Sequence, residues 1–173
     1  MTHRRNHPRL LASMLAGLIA APLALGAVVL TPATAEAAVA KATCDTKLVL
    51  LTKEGSGVIP KELEALRSTL QEDEFAVYKG FHLLEGKALK LSLDTKSEST
   101  FSSGHRLGLT LLGGDETRLK LHADLSNRDA TKSLLSTDYS IEDNGLLMIG
   151  AGSYTDGGRS GKLFFAIQCG RAS

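Results

Sequence analysis

Tryptophan is absent from this chain, aromatic residues make up only 5% of it, and it carries two cysteines. The lack of tryptophan removes the usual stacking platform of sugar-binding sites. Such a platform would have to be assembled from Tyr78, Tyr139, Tyr154 and scattered phenylalanines. The two cysteines, Cys44 and Cys169, have no partner at Cys-x-x-Cys spacing, which argues against a metal centre built on thiolates. An excess of charge of one sign is missing as well. From Lys41 onward there are 17 basic and 18 acidic residues, interspersed, for a net charge of −1. Nucleic acid and anionic membrane surfaces both demand a basic footprint, so neither is expected as a partner. Beyond Leu30 no apolar run is long enough to span a bilayer.

The N-terminus is where the apolar residues concentrate. Arg4, Arg5 and Arg9 precede an uncharged stretch from Leu10 to Leu30, followed by small residues, the layout of a secretory signal. The candidate cleavage triplets are Ala33-Thr34-Ala35, Ala35-Glu36-Ala37 and Ala38-Val39-Ala40. Residues 1–40 are therefore read as a signal peptide and 41–173 as one domain, placing the protein in the periplasm or outside the cell. The uncharged run has roughly the 20 residues of a spanning helix, but Pro22 and the repeated Ala-x-Ala favour removal. A lipid anchor on Cys44 does not fit, because Lys41-Ala42-Thr43 precedes it, well beyond the apolar run. An exported domain with one cysteine near each end most simply pairs them, so a Cys44–Cys169 disulfide is expected.

Periodicity then sets the fold class. KLVLLT (47–52) is a compact apolar run and reads as a buried strand. The segment 59–71 changes period. Pro60 suits a first helical turn, and Leu63, Leu66 and Leu70 form one stripe. After it the period is two. Strands are expected at 75–84, 88–94, 105–112, 117–125, 133–141, 146–152 and 162–169, with turns at 84–87, 112–116 and 142–145. Leu107, Leu109 and Leu111, then Leu119, Leu121, Ala123 and Leu125, face one way. Arg118, Lys120, His122 and Asp124 face the other. The expected fold is mainly β: an antiparallel sandwich or small barrel of about seven or eight strands, with one short helix after the first strand. A disulfide between the start of the first strand and the end of the last requires those two strands to be antiparallel neighbours.

No catalytic or cofactor signature emerges. DGGRSGK (156–162) lacks the first glycine and the hydroxyl residue of a phosphate loop, and it joins two strands rather than opening a helix. It reads as a mobile hairpin loop. Ser153 and Ser160 lie outside any Gly-x-Ser-x-Gly turn. The three histidines His82, His105 and His122 lack metal-ligand spacing. The acidic residues 71–74 with Asp94 and Glu98 lack the alternating oxygen ligands of a calcium loop. Along 75–84, Phe75, Val77, Phe81 and Leu83 read as core. Tyr78, Gly80 and His82 form a candidate exposed face, where Gly80 admits a close approach.

Strand, short helix, YKGFHLLEGKALKLSL, then NGLLMIGAG before a closing apolar strand resembles the layout of small exported β-sandwich proteins of Gram-negative bacteria. That resemblance implies a fold and no activity. The expected function is binding or assembly without catalysis and without a cofactor, with another envelope protein or a second copy as partner. The candidate binding face is Tyr78, Gly80, His82, Ser153, Tyr154 and Arg159, engaged through an exposed strand or the 153–161 loop. A second reading is a saccharide or small-ligand module, marked by an apolar cavity or a cluster of Tyr78, Tyr139 and Tyr154. A third, a hydrolase, requires one of the three histidines within hydrogen-bond reach of a serine and a carboxylate.

Overall fold

Leucine at every second position, replaced once by Ala123, gives segments such as 107–111 and 119–125 one face that must leave water, and two such sheets solve the problem by stacking. A computed structural model of the chain describes residues 39–172; the expected signal segment through residue 38 lies outside them. The strands are β1 (Lys41–Thr52), β2 (Gly80–Ser92), β3 (Lys96–Thr100), β4 (Arg106–Gly114), β5 (Arg118–Ser126), β6 (Ser133–Glu142), β7 (Leu146–Asp156) and β8 (Arg159–Arg171). They form two antiparallel sheets of four, ordered β2-β1-β8-β7 and β3-β4-β5-β6. Leu107, Leu109, Leu111, Leu119, Leu121 and Leu125 of the second sheet meet Leu48, Leu163, Phe165 and Ile167 of the first in one dry core. The fold is a β-sandwich.

The first sheet is buried on both faces. Val49, Leu51 and Ala166 point away from the sandwich core and pack under Ile59, Leu63, Leu66, Leu70 and Phe75. That is why residues 48–51 of KLVLLT are apolar at every position and why the middle of β8 is apolar on both alternations. The covering segment is not a regular helix. A 3₁₀ stretch, Lys61–Leu66, runs into a single α-turn, Arg67–Leu70, followed by a 3₁₀ turn at Asp73–Phe75. Helical turns this short are not stable alone. Burial of Leu63, Leu66 and Leu70, each at most 2% exposed, holds them in place. Each leucine contributes about 1.5–3 kcal/mol of apolar transfer.

Four local expectations require correction. The expected strand 75–84 begins only at Gly80, because Tyr78 N–H is bonded back to the Phe75 carbonyl in a turn. Val77 and Leu83 are accordingly exposed rather than core. No turn occurs at 84–87; β2 runs straight through it, with Glu85, Gly86 and Lys87 opposite Leu48, Lys47 and Thr46, and a bulge between Leu48 and Val49 absorbs the break in period. Strand β3 was not expected. Its sequence, KSEST, has no apolar alternation, and it pairs only with β4 at a sheet edge. Finally, 156–162 is a hairpin but not a mobile loop. Strands β7 and β8 extend to within two residues of each other, and Gly157 and Gly158 make the turn with φ of 53° and 82°. Two consecutive positive φ angles are what a tight two-residue hairpin demands.

Cys44 and Cys169 are direct register partners on β1 and β8, are bonded to each other, and are fully buried. The same end of the sandwich is tied further. Asn144, at φ 64°, gives its N–H to the Cys169 carbonyl, while Arg171 donates to the Asp143 carboxylate and to the carbonyls of Asp115 and Glu116. The inner face of β1 carries one irregularity. Thr46 Oγ1 is the buried side-chain polar atom without a hydrogen-bond partner among the described residues, at a cost of about 1–3 kcal/mol.

Reducing the disulfide, or replacing both cysteines by alanine, is expected to lower unfolding free energy by about 2–5 kcal/mol, since the bridge closes nearly the whole domain. Urea titrations with and without reductant measure this. Coincident curves would mean that the strand pairing is sufficient alone.

Candidate functional site

At the end of the first sheet remote from the disulfide, all four strands contribute to a cleft of about 1140 Å³. From Cys44 to Thr52 along β1 is about 26 Å at ~3.3 Å per residue, so the cleft and the covalent clamp occupy opposite ends of the sandwich. The register explains its floor. Thr52 stands beside Gly80 on one flank, and Gly161 opposes Tyr154 on the other. A side chain at Gly161 would strike the Leu51 carbonyl, so only glycine lets β8 pass there.

Five of the six residues expected to form a binding face line this cleft: Tyr78, His82, Ser153, Tyr154 and Arg159. They arrive from the turn before β2, from β2 itself, and from the β7–β8 hairpin. The sixth, Gly80, lies alongside. It is buried, and the space where its side chain would be is taken by the Thr52 hydroxyl and the Glu54 carbonyl, so its smallness serves strand packing and not a ligand. Tyr139 packs against the sandwich core from β6, away from the cleft, so the three tyrosines do not cluster. Tyr78 meets Phe164 edge-on at 6.3 Å, and Tyr154 meets His105 at 6.4 Å.

The cleft is polar and wired. Arg159 donates to Nδ1 of His82 at 3.1 Å and to the Asp156 carboxylate at 2.7 Å. An arginine donating to Nδ1 requires a lone pair there, so His82 is neutral with its proton on Nε2. Burial lowers the His82 pKa, and the Arg159 charge lowers it further. Lys162 donates to Ser153 Oγ at 3.0 Å, and the hydroxyls of Thr155 and Ser160 are 2.8 Å apart. Behind Tyr154, His105 is buried between Phe165 and Tyr154, with Nδ1 3.0 Å from Ser103 Oγ; burial and then Arg128 lower its pKa. Lys53, Arg128 and Lys162 also line the cleft and were not anticipated. Lys53 and Arg128 come from turns with no period to read, and the outward parity of Lys162 gives no hint of which neighbours it meets.

No known family, curated protein or solved structure matches this chain.

The third histidine lies elsewhere and satisfies the geometric condition set for a hydrolase. On the outer face of the second sheet His122 Nδ1 is 2.5 Å from Asp138 Oδ1, and Nε2 is 3.1 Å from Ser136 Oγ. A serine, a histidine and an aspartate are thus connected in the order of a catalytic triad. The protons are arranged differently. Ser136 Oγ donates to Asp124 at 2.7 Å, and Asp124 Oδ1 also stands 3.2 Å from Nε2. Lys96 reaches Asp124 at 2.9 Å and holds its pKa at about 2. It crosses β4 over Gly108, where a side chain would block it. His122 is flanked by two carboxylates, and its pKa is raised, first by the bond to Asp138. The Ser136 hydroxyl directs its proton to Asp124 and not to the ring, so the serine is not presented to His122 as a nucleophile is to its base. The cleft described above does not include His122, Ser136 or Asp138 in its lining. The cluster is a charge ladder linking β3, β5 and β6 across the wet side of the sheet.

The histidines are expected to titrate in a fixed order by NMR, with His122 above the ordinary value near 6.5 and His82 and His105 below it. Because the folded pKa of His122 is raised, its stabilising contribution is complete below about pH 6.5 and is lost as pH rises through the folded value. His122→Gln should therefore destabilise at pH 5 and be close to neutral at pH 9. A His122 pKa below 6.5 would restore it as a base and bring the triad reading forward.

Proposed function

We propose that the protein is exported, acts by binding and not by catalysis, and binds a small ligand in the cleft at the open end of the sandwich. The observation that carries this reading is the convergence of Tyr78, His82, Ser153, Tyr154 and Arg159 on one concavity. Concave sites of this size, walled by a few aromatics and several positioned polar groups, suit a small molecule or a short oligomer. The buried disulfide supports passage through an oxidising compartment. Among the described residues no helix is long and apolar enough to cross a membrane.

A second reading, protein contact through an exposed strand or through 153–161, has one observation in its favour: β7 and β6 leave their outer edges unpaired. A bulge between Gly150 and Gly152 interrupts β7, with Gly152 at φ 98°. Bulges of this kind twist an edge and discourage strand addition. The two-residue turn of 157–158 also leaves little loop to fold onto a partner. Amide exchange measured in the native exported fraction and again after purification separates the readings. Protection confined to residues 51–55 and 153–162 is expected from a cleft ligand. Protection along Ser133–Glu142 or the β7 edge would transfer the function to a protein partner.

Signal removal belongs to the same proposal, and the start of the domain bears on where it occurs. Val39 is only 8% exposed and packs into the sandwich core, and the Ala40 carbonyl accepts a hydrogen bond from Leu93 N–H at 2.9 Å. Cleavage after Ala40 would discard both contacts, whereas cleavage after Ala35 or Ala37 keeps them. The intact mass of the exported protein is expected to begin at Glu36 or Ala38, lighter by two hydrogens before reduction. A start at Lys41 would show that these contacts are dispensable, and an uncleaved chain would remove the export argument.

A further inference from the structure

We infer that the cleft selects an anionic, hydroxyl-rich ligand: a sugar bearing a carboxylate or a phosphate. This rests on the reading of the cleft as the binding site and adds the chemistry of what it takes. The domain has nearly balanced charge, yet Lys53, Arg128, Arg159 and Lys162 all line this one concavity, against Glu54 as the single carboxylate residue among the lining. Arg159 is neutralised by Asp156 at the hairpin. Lys53, Arg128 and Lys162 are in no ion pair among the described residues, and all three are exposed. Unpaired cations also occur elsewhere, Lys90 and Lys120 among them, so what sets the cleft apart is that four cations share one concavity with a single carboxylate residue. An unmatched group of cations in a concave, partly apolar site focuses a positive potential on whatever enters.

Arg159 lies against His82, whose pKa is lowered first by burial and then by Arg159, with Asp156 opposing, and Arg128 acts in the same downward sense on His105 behind Tyr154. The remaining lining fits a sugar. Ser153, Thr155 and Ser160 offer hydroxyls that both donate and accept, and Tyr78 and Tyr154 bring the only aromatic rings to the walls. A purely apolar ligand would leave these cations and hydroxyls desolvated without partners, a cost that an anion with hydroxyls avoids.

Calorimetric titration of the protein recovered from an exporting host tests this with three probes. Tetragalacturonate carries carboxylates, glucose 6-phosphate carries a phosphate, and maltotetraose carries hydroxyls alone. At least one charged probe is expected to bind, and maltotetraose at least about tenfold more weakly or not at all, with affinity falling as salt shortens the ~10 Å screening length. Which charged probe binds more tightly assigns the carboxylate or the phosphate. Arg128→Gln and Lys162→Gln are each expected to weaken the charged probe about tenfold, the scale of one charge-assisted hydrogen bond. Lys90→Gln, on the exposed outer side of β2, should leave it unchanged. Equal binding of maltotetraose, or wild-type affinity in both cleft variants, would overturn the charge selectivity while leaving the cleft as a binding site. Absence of binding by all three probes, with no amide protection at the cleft in the native fraction, would remove both.

Discussion

The antiparallel pairing of β1 with β8 is the constraint on which the remainder of the molecule hangs. It joins the first and last strands of the domain in ten consecutive register pairs, and one of those pairs is Cys44 opposite Cys169. Pairing the two ends of a chain is the most costly contact in loop entropy. Over Leu48–Leu51 the side chains are buried on both faces, so there the apolar gain is taken twice over for the same backbone. The disulfide then makes permanent what the hydrophobic register has already aligned. With those strands in the middle of their sheet, β2 and β7 must flank them, and the four intervening strands are left to form the second sheet by simple meander.

That arrangement makes the two ends of the sandwich unlike. One end is held by the disulfide, by the Asn144 turn bonded to the Cys169 carbonyl, and by Arg171 fastened to two neighbouring turns. The other end is joined by side-chain bonds instead, Arg159 reaching His82 of β2 and Asp156 of β7. There the chain turns away at Lys53, re-enters at Gly80, and doubles back through the Gly157–Gly158 turn, leaving a concavity where charged ends of side chains gather. A braced far end and a recessed near end are a reasonable basis for recognition, because most of the lining groups are presented from strands, with Lys53, Tyr78 and Arg128 added from turns.

Three histidines show how strongly position decides chemistry. His122, on the wet face, is embraced by carboxylates and driven toward its charged form. His82 and His105, within reach of arginines and partly or largely out of water, are driven toward the neutral form. The Ser136–His122–Asp138 cluster connects the atoms of a hydrolytic triad, yet the serine proton is directed to Asp124, which Lys96 also holds, so connectivity alone is a poor guide to activity.

Much of the architecture was legible in the residues themselves. The leucine alternation of β4 and β5, the unbroken apolar runs of β1 and β8, the stripe Leu63-Leu66-Leu70 and the terminal cysteines are local signals, and each has a direct physical cause in burial. What misled was equally local. The polar strand β3 offers no period to read, and the glycine-containing LEGK stretch resembles a turn, but β1 supplies a pairing partner that keeps it extended. The candidate site was readable only in part. Tyr78, His82, Ser153, Tyr154 and Arg159 could be named from their surroundings, but that they share one cleft depends on the strand order. Lys53 and Arg128 come from unpatterned turns, and Lys162 is one outward residue among many. The charge of a cleft is a sum over segments distant in sequence, and only the folded chain brings those terms together.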